Sequence, residues 1–149
     1  MEHSAITFRV RDDERFAKLA KVFEALREAK IDGNAPDPDD AYWRQFFDEA
    51  ALAHFWHPTP EERADWQRRW FSTPVAQRWA DPSLQTPWDF ASMIEAFCNG
   101  EYDLPVCERI ADSEGKLTFD PHAYPYGGTG CMKALIEAFD CDVIGEENA

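Results

Sequence analysis

Basic residues are scarce in this chain. Its 149 residues hold 15 Lys and Arg against 29 Asp and Glu, a formal net charge of −14. Phosphate backbones and anionic headgroups are bound by cations that neutralise them, so the composition argues against nucleic acid and charged membrane as partners. The same field draws a basic protein, although acidity also serves simply to keep a chain in solution. Long apolar runs are missing too. No stretch approaches the roughly 20 residues of a spanning helix, and Met1-Glu2-His3-Ser4 lacks the basic-then-apolar layout of a secretory leader, so a cytoplasmic location is expected. Cysteine is limited to Cys98, Cys107, Cys131 and Cys141. Without a leader their even number carries little weight, and free thiols are expected. A helix from about Cys131 to Phe139, rising ~1.5 Å per residue, would hold Cys131 and Cys141 on the order of 15 Å apart, beyond a disulfide.

What is present is a core. The chain is 44% hydrophobic and 14% aromatic, with six Trp and eleven Phe, enough to bury one α+β domain over residues 1–149 with ends that fray. Ile6, Phe8 and Val10 alternate with Thr7 and Arg9 as in a strand. Phe16, Leu19, Val22, Phe23 and Leu26 follow at helical spacing, behind Asp12, Asp13 and Glu14 at the positive end of the dipole, with Gly33 beyond the last periodic position. A loop rich in Pro and Asp leads to an aromatic helix, expected from Asp39 or Asp40 to about Trp56. Thr59-Pro60, Thr73-Pro74 and Thr86-Pro87 each set a capping hydroxyl before a proline suited to a first helical turn. They predict helices over about 60–71, 74–80 and 87–98, with Glu62 and Asp89 placed for capping boxes. Past Asn99-Gly100, strands over Leu104–Ile110 and Lys116–Phe119 flank a hairpin loop at 111–115. A helix carrying Met132, Leu135, Ile136 and Phe139 and a last strand, Asp142–Gly145, complete the chain. The order is that of a ferredoxin-like split β-α-β-β-α-β unit with a helical insertion, about residues 34–100, between the first helix and second strand.

Chemistry is less legible. Tyr124-Pro125-Tyr126-Gly127-Gly128-Thr129-Gly130-Cys131 feeds a helix N-terminus, where unpaired N–H groups and the dipole favour an anion. Tyr126, Gly128, Thr129, Gly130 and Cys131 could therefore bind a small anion, and Cys131 could be an active thiol with His122 as its base. The structural alternative is a tight turn, a Thr129 cap and a small packed residue. The glycine spacing fits neither the dinucleotide fingerprint nor a Walker loop. His54 and His57 stand three apart, as metal ligands on a helix can, but no Cys or carboxylate completes a set and His54 continues the apolar stripe. No metal or cofactor is expected. Trp66, Arg69 and Trp70, with Arg68, Arg78 and Trp79, bring aromatics and cations together, either as a buried stripe or as a protein-binding surface.

No nucleophilic triad, catalytic carboxylate pair or calcium loop is complete. The composition and motifs favour a non-enzymatic protein-binding module of the inhibitor, immunity-type or adaptor kind, with a basic protein as the partner that the charge would draw. An enzyme or small-anion binder at Gly127 to Cys131 is the alternative. The sequence leaves the oligomeric state open.

Overall fold

β1 (Ser4–Arg9) turns Ile6 and Phe8 inward and leaves Arg9 exposed, the alternation of a strand with one face on a core. In the computed structural model of the chain, residues 4–34, 36–38, 41–99, 102–121 and 130–147 are described. α1 (Asp13–Asp32) starts where the Asp12 carboxylate accepts the N–H groups of Glu14 and Arg15. It ends on Gly33 at φ 66°, the left-handed position that relieves the last turn. Its Leu19, Val22, Phe23 and Leu26 are buried. β2 (Tyr102–Ala111), β3 (Glu114–Pro121) and β4 (Asp142–Glu147) complete an antiparallel sheet in the order β2-β3-β1-β4, and α7 (Gly130–Ala138) joins β3 to β4. The architecture is α+β. Pro105 lies in β2, an edge strand whose register shifts between Asp103 and Val106.

Among the described residues, five α-helices and a 3₁₀ turn, Pro82–Leu84, fall between α1 and β2: α2 (Ala41–Arg44), α3 (Glu49–Leu52), α4 (Pro60–Ser72), α5 (Val75–Arg78) and α6 (Phe90–Asn99). Their aromatic residues are continuous with the core of the sheet. Trp43, Phe47, Phe55, Phe90 and Phe97 are buried in one cluster with Ile6, Phe8, Leu117, Leu135 and Ile136. Phe97 meets Phe23 of α1 edge to face at 5.7 Å, and Phe47 lies 5.5 Å from Phe139 at the end of α7. The Trp43 indole, though fully buried, donates to the Pro36 carbonyl at 3.1 Å.

Three local expectations change. The aromatic helix expected up to Trp56 is two single turns, because the Asp48 side chain accepts the Ala51 N–H at 2.9 Å and starts a new helix. α6 begins three residues later than expected, capped by Asp89 through the N–H of Ala91 at 3.0 Å in place of Thr86. The hairpin closes on two residues, Asp112 and Ser113, since β2 and β3 each extend into the expected loop.

Candidate functional site

The backbone of Trp56 receives and returns hydrogen bonds across a neck: its N–H donates to the Trp88 carbonyl at 2.8 Å, and its carbonyl accepts the Phe90 N–H at 3.0 Å. Residues 57–88 run out from this neck and back to it as a lobe, and none of them belongs to the core cluster, although His57 and Trp88 at its two ends still lie against Phe90 and Gly130. A capping box opens α4 within it, with Glu62 N–H donating to Thr59 Oγ1 at 3.1 Å and Thr59 N–H to Glu62 Oε1 at 3.2 Å. No residue of α4 is fully buried. Its apolar side is used instead in a ladder of indoles, Trp56 to Trp66 at 6.0 Å, Trp66 stacked on Trp70 at 5.2 Å, and Trp79 edge-on to Trp70 at 5.1 Å. The Trp66 indole N–H donates to the Leu84 carbonyl at 2.9 Å, which ties α4 to the 3₁₀ turn Pro82–Leu84.

The arginines divide by role. Arg63 pairs with Asp89 and lies over the Trp56 ring, fastening the lobe to the neck. Arg68 and Arg69 both pair with Asp65 one turn back. Arg78 closes the far end of α4, where Nε donates to the carbonyls of Trp70 at 3.0 Å and Thr73 at 3.1 Å, a cation at the negative end of the dipole. Its guanidinium carbon lies 5.5 Å from the Trp70 ring and 5.8 Å from that of Phe71. Around it the surface is apolar. Phe71, Val75 and Trp79 are 73%, 69% and 75% exposed, the three most exposed large hydrophobic residues among those described.

Of the residues singled out by sequence, Trp66 and Trp70 form the half-buried floor of this surface, and Arg69 is held at its edge by Asp65 and by the Ser83 carbonyl. Phe71 and Val75 were missed. Phe71 follows Trp70 by one residue, so it points about 100° around the helix from the Trp66 and Trp70 stripe. Val75 opens α5 beyond the Thr73-Pro74 break, so no single helical period joins it to Phe71.

The glycine-rich segment is different. His122, Tyr126, Gly128 and Thr129 lie outside the described residues. Gly130 opens α7 against the Trp88 indole, which an added Cβ would meet at 3.1 Å. Cys131 is 1% exposed and packed in the core. None of the four cysteines is in a disulfide. His54 is exposed rather than at the core boundary, because the break at Asp48 turns it away from the stripe of Trp43 and Phe47. His57 stacks on Phe90, with Nε2 at 2.7 Å from the Leu52 carbonyl and Nδ1 at 2.9 Å from an Arg44 nitrogen. A carbonyl can only accept, so Nε2 carries the proton and Nδ1 accepts from Arg44. No cluster of three metal-ligating side chains occurs among the described residues, and no helix among them is long and apolar enough to cross a membrane.

No family profile, curated protein or solved structure matches the chain.

Proposed function

We propose that the protein is a non-enzymatic binding module whose lobe, residues 57–88, presents a docking surface for another protein. The observation that carries this reading is the corner between α4 and α5. Three large apolar side chains stand in solvent there, on a floor of stacked indoles and beside an arginine held by two carbonyls. Aromatic residues and Arg on a rigid base are the composition of binding hot spots, since they offer large contact area at little entropic cost. We further propose that β1, α1, β2, β3, α7 and β4 are one ferredoxin-like unit and that the helices between α1 and β2 are an insertion in a single domain. The order β2-β3-β1-β4, with every neighbouring pair antiparallel, supports this.

Affinity capture from an extract of the source cells tests the surface, using the intact chain and a Phe71→Ala, Trp79→Ala double variant. A protein retained by the first and lost by the second is the expected result. Equal retention by both would move the binding site elsewhere.

A further inference from the structure

Arg78 is only partly used by the fold. Nε alone closes α4, and neither Nη1 nor Nη2 has a carboxylate partner among the described residues, whereas Arg63, Arg68 and Arg69 are each in an ion pair. From Trp66 through Ala80 the sequence carries three arginines and no Asp or Glu, within a chain of net charge −14. Asp65 and Asp81 bound this stretch and Asp65 pairs with Arg68 and Arg69, which leaves Arg78 as its arginine without a carboxylate partner among the described residues, beside the exposed Phe71, Val75 and Trp79.

We infer that this corner receives an apolar segment of another protein that bears a carboxylate, with the apolar side chains on Phe71, Val75 and Trp79 and the carboxylate on the free fork of Arg78. The inference rests on the protein-binding reading above and specifies its partner. A planar guanidinium with two adjacent N–H groups matches a carboxylate through paired bonds, and flanking rings keep water from competing. Net charge favours a basic partner at long range, but screening limits that field to ~8 Å at physiological ionic strength. In contact, the guanidinium of Arg78 decides: a basic segment would press a cation against it, a like-charge juxtaposition that opposes binding. A second copy docked about a two-fold axis centred on this corner would set Arg78 near its own image, so self-pairing there is opposed for the same reason.

The test is selection of binders to the immobilised full chain from a displayed library of random peptides, followed by anisotropy titration of the recovered peptides. Sequences combining Asp or Glu with aromatic or branched apolar residues are expected. Affinity should fall at least about tenfold with Arg78→Gln and with Trp79→Ala, and should not change with Arg27→Gln, an exposed cation on α1. A peptide whose acid is replaced by Lys should prefer the Arg78→Glu variant. Peptides that need Trp79 but are basic or neutral and indifferent to Arg78→Gln would leave the docking surface standing and overturn the carboxylate. Peptides indifferent to both variants, or no enrichment at all, would overturn the surface as well. Self-association by light scattering that Trp79→Ala abolishes would make the occupant a second copy and overturn the inference.

Discussion

Asp48 joins α3 to α1 through two oxygens. Oδ1 starts α3 by accepting the Ala51 N–H, while Oδ2 pairs with Arg15 and, at 3.1 Å, with Lys18, both from α1. Partial burial pushes its carboxyl up, but the Ala51 N–H and the cations of Lys18 and Arg15 outweigh that and hold it below the ordinary carboxylate range. A carboxylate depressed in the folded state stabilises it above the unfolded value, and that contribution disappears as pH falls through the folded value. Urea unfolding should therefore show wild-type stability declining below about pH 4, and Asp48→Asn should lack that part of the decline. Asp48→Ala at neutral pH removes the cap and leaves the Arg15 guanidinium, whose side chain is only 13% exposed, without one of its partners. Its expected cost is about 2–4 kcal/mol. An unchanged midpoint would sink the assignment. Gly115 poses a steric question rather than an electrostatic one. A Cβ there would overlap the fully buried Phe8 ring, so Gly115→Ala should cost about 1–3 kcal/mol in the same assay.

The lobe and the core are stabilised differently at the scale of elements. α1 and α7 bury six and five residues, whereas α4 buries none and depends on its capping box, the indole ladder and the Arg63 to Asp89 pair. Elements with little burial open at low free energy. Hydrogen exchange should therefore be faster in 60–84 than in α1 or α7. Thr59→Ala, losing a cap worth about 1 kcal/mol, should speed exchange in α4 roughly fivefold while leaving α1 unchanged. Uniform acceleration across both helices would mean that the lobe and core open as one. The same contrast explains what the sequence disclosed. α1 was readable because its apolar period, Asp12 cap and Gly33 stop agree, and the Thr59 to Glu62 box located α4. The break at Asp48 was hidden because that residue is recruited by Arg15 and Lys18, some thirty positions earlier in the chain. The docking surface was legible only in part, since periodicity identified Trp66 and Trp70 as a stripe but could not show that the lobe returns on itself and leaves Phe71, Val75 and Trp79 uncovered.

Among the described residues, one apolar cluster runs from the sheet through α1, α6 and α7 to Trp43, Phe47 and Phe55, and it encloses Cys131 and Cys141 while Cys98 and Cys107 pack against it. That location sets their chemistry. Burial pushes the Cys107 thiol up to about 12, with the nearby Cys141 and Glu108 adding to it. Burial likewise raises Cys141 to about 11, reinforced by Asp140 and Asp142, and raises Cys98 against the pull of Lys30. Only the thiolate attacks an alkylating agent, so Cys98, Cys107 and Cys141 should react with iodoacetamide far more slowly in the native protein at neutral pH than in urea, and Cys131 should be slow because its sulfur is enclosed. Labelling of Cys131 ahead of the other three would revive an active thiol beside the glycine-rich turn. The raised values also have a thermodynamic consequence. A thiol kept neutral by the fold stabilises it below the unfolded value, and that contribution is lost as pH rises through the folded value. Stability should therefore decline between the ordinary thiol value of 9.0 and about 12. Cys107→Ala should shallow that decline, because it removes the group whose ionisation the core resists most; an equally steep decline in the variant would assign the alkaline loss to other groups.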